Sequence, residues 1–291
     1  MRLLRPATIT DAVHHLNNDR DGSLLYAGGV EVALGLRSGA LTCSSLIDTK
    51  RIAGSYGISA IGDEVRVGPA TTHYMIASNP LIAAELPLLG EACGHLGTVR
   101  IRTQGTIGGN FAFAHPHTDP GTAAQLYSGF VDLISGSGPR SVSIEDFWTA
   151  PYTSACRRDE IIESIRLRPL GSGWIAVHER LETVHRPPTA IVCLAARIAD
   201  EQMLECRIAV GAVPPHPLRL RSLEMSLAGA PVDDIDSVVA KAIPDVAQAV
   251  SAQSDLLGSA DFKVAVLTGL IRRAADLAAD RSRHATIEDR A

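Results

Sequence analysis

Arg102-Thr103-Gln104-Gly105-Thr106-Ile107-Gly108-Gly109-Asn110 is the stretch on which the reading of this chain turns. Glycines 105, 108 and 109 stand among small hydroxyl and amide side chains, with one apolar residue between them. Glycine lets the backbone take conformations closed to other residues and lets a ligand come close to bare N–H groups. Consecutive N–H groups in such turns form a concavity that attracts anions, phosphate above all. Taken alone, a Gly-Gly pair is more often a tight turn with no ligand. A second stretch changes that balance: Leu24-Leu25-Tyr26-Ala27-Gly28-Gly29-Val30-Glu31-Val32. It reads as a short apolar strand, a Gly-Gly turn and a helix start, the order in which helix N–H groups meet a phosphate. Neither stretch has the G-x-G-x-x-G spacing of a dinucleotide fingerprint, and no Gly-Lys-Ser/Thr of a P-loop follows.

These two motifs do not stand alone. Ile101-Arg102 precedes the second, and Pro116 to Asp119 follow it. Later come Arg207-Ile208-Ala209-Val210-Gly211-Ala212-Val213-Pro214 with Pro217 and Arg219, and Gly258-Ser259-Ala260-Asp261-Phe262-Lys263. Together, over nearly the whole chain, they resemble the FAD-binding medium subunit of the molybdenum hydroxylases, of the carbon monoxide dehydrogenase and xanthine dehydrogenase type. The resemblance implies an α+β fold: a two-lobed FAD-binding domain of the PCMH or vanillyl-alcohol-oxidase kind, then a C-terminal α+β domain with a small antiparallel sheet and helices. It places cofactor contacts at Leu25, Tyr26, Ala27, Gly28, Gly29, Val30, Glu31 and Val32, and at Thr106, Ile107, Gly108, Gly109, Asn110 and Asp119. Leu96 stands where the family puts an apolar residue near the adenine or flavin. Ile162 falls on the strand near the flavin ring, and Arg180 where the family often has lysine. Each of these three has a plainer reading, as core for the two apolar residues and as solvated surface for the arginine.

The implied activity is that of an FAD-dependent oxidoreductase. Electrons from 2Fe–2S clusters pass onto FAD and then to NAD, quinone or oxygen. The implied partners are an iron–sulfur subunit and a molybdopterin subunit in a heterotrimer, alone or paired, with molybdopterin and clusters on those partners only. Because the redox chemistry belongs to the flavin, no catalytic acid or base is expected from the chain. Two alternatives stay open: a stand-alone FAD-dependent oxidoreductase of a biosynthetic pathway, and a non-catalytic scaffold or nucleotide-binding module. Several positions depart from the family pattern. Val30 replaces a hydroxyl, amide or imidazole side chain, Glu31 an aspartate or serine, and His185 to Thr189 a segment that usually ends in aspartate. His115 and His117 follow the second motif, where they read either as surface residues or as groups that titrate near neutral pH and tune the flavin.

Composition narrows the classes further. The 291 residues are 46% hydrophobic and 20% charged, an ordinary globular balance with ample material for a core. A net charge of −5, no basic block and only 4% aromatic residues point away from nucleic acid. Cys43, Cys93, Cys156, Cys193 and Cys206 are dispersed without C-x-x-C spacing. That favours a reducing compartment over a disulfide framework, and makes a cluster or zinc site within the chain unexpected. No apolar leader and no membrane-length apolar run are read, so the expected location is cytoplasmic.

In chain order, the first lobe is expected over residues 1–52, the second over 53–170, a C-terminal domain over 174–280 and a frayed polar tail over 281–291. Thr10 is read as the cap of the first helix, and Thr71 or Thr72 as the cap of a helix to Ala77. Asp119-Pro120 reads as a capping carboxylate followed by proline at the first helical position. Gly62-Asp63-Glu64 and Asp200-Glu201 are read as hairpin turns. Pro244 is expected to break or kink the helix over Ile235 to Val250.

Overall fold

The computed structural model describes residues 1–19, 22–182 and 187–288. They form two compact units: Met1–Ala114 with Tyr127–Pro169, and His115–Leu126 with Leu170–Ala291.

The first unit opens with three parallel strands, Arg2–Leu4, Ser23–Tyr26 and Ser45–Asp48, the last in the centre. Parallel strands need crossovers. Helix Ile9–Asn18 makes the first and helix Val30–Ser38 the second. Parallel pairing also aligns strand ends: Leu25 lies opposite Ile47 and Tyr26 opposite Asp48. The residues after each strand are therefore delivered to one edge, and the site uses this. Thr8, not Thr10, caps the first helix, accepting from the Asp11 N–H at 3.1 Å. Its buried Ala12, Val13 and Leu16 pack with Ile47, Ile52 and Ile161.

The remainder of the unit is a five-stranded antiparallel sheet with helices. Its strand order is Ile58–Ile61, Glu64–Val67, Ile161–Arg168, Ser128–Ser135 and Gly138–Ser143. Arg166 on the central strand reaches Glu64 at 2.6 Å and Asp132 at 2.7 Å, clamping the register on both sides. Val65, Val67, Val131, Leu133, Ile165 and Leu167 are buried, as alternation with polar neighbours requires. Phe111, Phe147 and Trp148 are fully buried, and the indole N–H donates to the Phe111 carbonyl at 3.2 Å. The cap of helix His73–Ala77 is Thr72.

The second unit is an antiparallel sheet of Ile175–Leu181, Ala190–Ala199, Gln202–Gly211 and Leu218–Arg219, with Ala230–Pro231 paired to the third of these. Asp200 and Glu201 turn its central hairpin at positive φ. Helices Arg221–Leu227, Ile235–Val250 and Ala260–Glu288 accompany the sheet. Leu267, Ile271, Ala274 and Ala278 join Val192, Leu194 and Val210 in its core.

Three expectations change here. The segment 115–126, read as part of the second lobe, joins the C-terminal unit. The Ala212 N–H donates to the Pro116 carbonyl at 3.0 Å, and Arg207 donates to the Leu126 carbonyl at 2.8 Å. Pro244 does not break its helix, which runs from Ile235 to Val250 with the proline inside it. The polar tail does not fray at 281. Helix Ala260–Glu288 continues past it to Glu288, with Arg281 donating to the Ala176 carbonyl and Arg283 paired to Glu201 at 2.7 Å. Among the described residues no helix is long and apolar enough to cross a membrane.

Candidate functional site

The two glycine stretches meet in the first unit. A Cβ on Gly28 would lie 2.1 Å from the Gln104 carbonyl oxygen and 2.9 Å from the Gly105 Cα. Only a glycine permits that approach of one backbone to the other. Gly29 follows with φ 73°, and a Cβ there would fall 2.2 Å from the Tyr26 ring. Helix Val30–Ser38 starts immediately after. Among the described residues no side chain caps it, so its first N–H groups are open at the helix end. An open helix N-terminus behind a bare turn is an anion site by geometry and by dipole. The Val30 side chain adds no donor, as its apolar chemistry dictates. Leu25 packs against the core of the parallel layer, so any contact it makes with a ligand runs through its backbone.

The second stretch is built differently from the sequence expectation. It forms the start of helix Ile107–Phe113, and its N–H groups are taken up within the fold. Ile107 donates to the Thr71 carbonyl at 3.0 Å and Gly108 to the Pro69 carbonyl at 2.9 Å. Gly109 donates to the Thr106 hydroxyl at 3.3 Å, longer than an ordinary N–H···O bond. A Cβ on Gly108 would strike Pro69 at 2.5 Å, whereas Gly109 is exposed and meets only Thr106 Oγ1, at 3.0 Å. The stretch therefore supplies mainly shape. Gly108 seats the helix on Pro69, and Gly109 keeps the outer wall low beside Thr106 and Asn110.

His73 holds this stretch from beneath. Its N–H donates to the Gly105 carbonyl at 3.1 Å, and its ring lies 3.5 Å from the buried Cys93 sulfur. Burial holds its pKa down to about 4. The unfolded chain takes up this proton near pH 6.5, while the folded chain refuses it until about pH 4. The stability from a neutral His73 is thus fully present above pH 6.5 and is lost as pH falls toward 4. Between pH 7 and pH 5 the loss is roughly 2 kcal/mol. His115 is also held at about 4, by burial first and then by His117, and contributes with the same sign. Urea midpoints across this range are expected to fall with pH, and His73→Gln to reduce the slope by roughly half. An unchanged slope would contradict the assignment.

Leu96 and Ile162 lie in the same unit. Leu96 is half-buried at the end of helix Pro87–His95, its carbonyl accepting from Arg102 at 3.2 Å. Ile162 is buried and borders a cavity of about 60 Å³, which it shares with Ile9, Thr49, Ile52, Ser55 and Arg66.

Asp119 and Arg180 belong to the second unit, and there they meet. Asp119 is only 1% exposed. His178 Nε2 lies 3.2 Å from one carboxylate oxygen, and Arg180 Nη1 lies 3.3 Å from the other. His178 and Arg180 alternate along strand Ile175–Leu181, so both side chains fall on one face. Arg180 is also paired to Glu182, so it is not a solvated surface residue. Asp119 is not the cap of its helix: Thr118 is, accepting from the Gly121 N–H at 3.2 Å, and Asp119 is the first helical residue. A carboxylate held by two nitrogen donors is a charged hydrogen-bonding centre, not a cap.

His115 and His117 form a pair with ring centroids 5.3 Å apart. His115 Nδ1 accepts from the His117 N–H at 3.0 Å, and His117 Nδ1 donates to the Pro188 carbonyl at 2.6 Å. With its pKa near 4, His115 does not titrate near neutral pH, contrary to one sequence reading. Of the divergent segment 185–189, His185 and Arg186 lie outside the described residues.

Sequence reasoning missed Thr49, Lys50 and His178. Lys50 carried a signal, a charge two residues after the buried run Leu46-Ile47-Asp48, but only parallel pairing shows that it arrives beside the first glycine turn.

Comparison with known proteins bears on the same residues. The family described as the FAD binding domain in molybdopterin dehydrogenase matches residues 1–169. The CO dehydrogenase flavoprotein C-terminal domain matches residues 187–278. The carbon monoxide dehydrogenase medium chain of Hydrogenophaga pseudoflava is 30% identical over 94% of this chain and 95% of its own length. The nicotine 6-hydroxylase medium subunit of Paenarthrobacter nicotinovorans is 29% identical over 94% and 95%. A solved structure of carbon monoxide dehydrogenase from Hydrogenophaga pseudoflava superposes with a TM-score of 0.90 at 26% identity, covering 97% of this chain and 98% of that one.

Proposed function

Because this chain belongs to the FAD-binding medium-subunit family of the molybdenum hydroxylases, we propose that its two glycine stretches hold the diphosphate of FAD, with the first as donor and the second as wall. The chain is the flavoprotein subunit of a multi-subunit dehydrogenase. The single observation that carries the site is the uncapped start of helix Val30–Ser38, brought by Gly28 against Gln104. An anion there meets N–H groups whose desolvation would otherwise be costly, and no cationic side chain is required.

The residues divide the work. Ala27, Gly28, Gly29, Val30, Glu31 and Val32 offer backbone to the diphosphate, while Tyr26 underlies the turn. Gly108 sets the depth of the wall, and Thr106, Gly109 and Asn110 face the ligand from it. Leu96 and Ile162 supply apolar contact within the first unit; for Asp119 and Arg180, in the second unit, the support for a cofactor role is family membership. Bound there, the flavin would supply the redox chemistry that links 2Fe–2S clusters to NAD, quinone or oxygen. The chain itself binds, orients and shields the cofactor. Its partners are an iron–sulfur subunit and a molybdopterin subunit in a heterotrimer. The setting is cytoplasmic, in keeping with five free cysteines.

The test is flavin binding to the purified chain and to Gly109→Val. The wild type is expected to take up FAD stoichiometrically. Gly109→Val raises the low wall without touching a backbone neighbour, so affinity should fall by at least about tenfold, or about 1.4 kcal/mol. The thermal midpoint of the flavin-free variant should stay near that of the wild type. Full flavin occupancy in this variant would show that Gly109 does not face the cofactor.

A further inference from the structure

Lys50 follows the central strand of the parallel layer and reaches back under the first glycine turn. Its Nζ donates to the Ala27 carbonyl at 2.9 Å, pairs with Asp48 at 2.8 Å and lies 4.0 Å from the centroid of the Tyr26 ring. Beside it, the Thr49 hydroxyl donates to the Tyr26 carbonyl at 3.4 Å. The same Tyr26 ring leaves room for nothing larger than glycine at Gly29. Thr49, Lys50 and Tyr26 thus form one support, fixed by the parallel register that sets Tyr26 opposite Asp48.

The direction of these bonds matters. The peptides here are trans, so each carbonyl points opposite to the N–H of the next residue. Holding the Tyr26 and Ala27 carbonyls on the Lys50 side turns the Ala27 and Gly28 N–H groups to the other side. We propose that Lys50 is a positioning residue for dinucleotide binding: by holding the carbonyl side of the turn, it presents the N–H side to the diphosphate. Its charge is matched by Asp48, so its action is on backbone orientation, not as a phosphate ligand. This rests on the reading that the first glycine stretch holds the diphosphate of FAD.

Three full-length variants test it: Lys50→Met, Lys50→Arg, and Asp48→Asn with Lys50→Met, which avoids leaving Asp48 without its counter-charge. Each is measured for FAD affinity by flavin fluorescence, for the phosphorus resonances of bound FAD, and for thermal midpoint without flavin. The two methionine variants are expected to bind FAD at least about tenfold more weakly, the scale of one charge-assisted hydrogen bond. Their diphosphate resonances should move, and Lys50→Arg should restore part of both effects. Wild-type affinity and unmoved resonances in the double variant would overturn the proposal. So would a loss matched by an equal fall in flavin-free stability with no rescue by arginine. If the wild type itself failed to bind FAD, the site reading would fall first, an outcome distinct from a tight-binding wild type with equally tight variants.

Discussion

Gly28→Val is expected to yield a chain that purifies without flavin and unfolds at lower urea than the wild type. The added Cβ would sit 2.1 Å from the Gln104 carbonyl oxygen and 2.9 Å from its carbon, both backbone atoms that cannot swing aside. One of the two stretches has to move. The cost is about 3 kcal/mol, the upper end for forcing extra atoms into a packed site. Displacing the turn also displaces the open helix start behind it, so affinity for FAD is expected to be lost with the stability. Comparison with Gly109→Val separates the two glycines. The first joins the stretches, the second borders the ligand, and only the first should shift the urea midpoint. Equal midpoints for Gly28→Val and wild type would mean that the stretches are not held together at Gln104.

Asp119→Ala is expected to destabilise by about 3 kcal/mol, well beyond the loss of a helix cap, because it strips one of two counter-charges from an Arg180 whose side chain is only 12% exposed. Buried His178 and half-buried Arg180 lie against a carboxylate that is itself 1% exposed. The ion pair of Arg180 with Glu182 remains and keeps the loss at the lower end of that range. Adding Arg180→Met to Asp119→Ala should recover most of the stability, since a well-packed apolar pair can replace a buried ion pair at little cost. Urea midpoints of the four proteins in this cycle check it. Additive losses would show that Asp119 and Arg180 do not act as a pair. FAD affinity in the same variants reports whether the pair also meets the cofactor.

Much of this was legible along the chain. The strand, glycine turn and helix start over Leu24 to Val32 are a local pattern, and the structure forms strand Ser23–Tyr26 and helix Val30–Ser38 there. Gly39 ends that helix in the left-handed conformation. The later motifs carried the family resemblance, and with it the cofactor. Less legible were the caps. Thr8 and Thr118 displace Thr10 and Asp119, because several hydroxyls and carboxylates near a helix start compete and only the backbone path decides which one reaches an N–H.

The order of small and apolar residues by itself determined where the bare turns fall, because glycine's freedom is a property of the residue and not of its neighbours. Tertiary structure alone decided which of those turns has donors to give. Pro69 and Thr71 claim the N–H groups of the second stretch through bonds that close distant parts of the chain. The first stretch stays open because its helix start finds no cap. Tertiary structure also decided that Lys50 lies beneath that opening, since residues far apart in sequence meet there only when parallel strands end on the same edge.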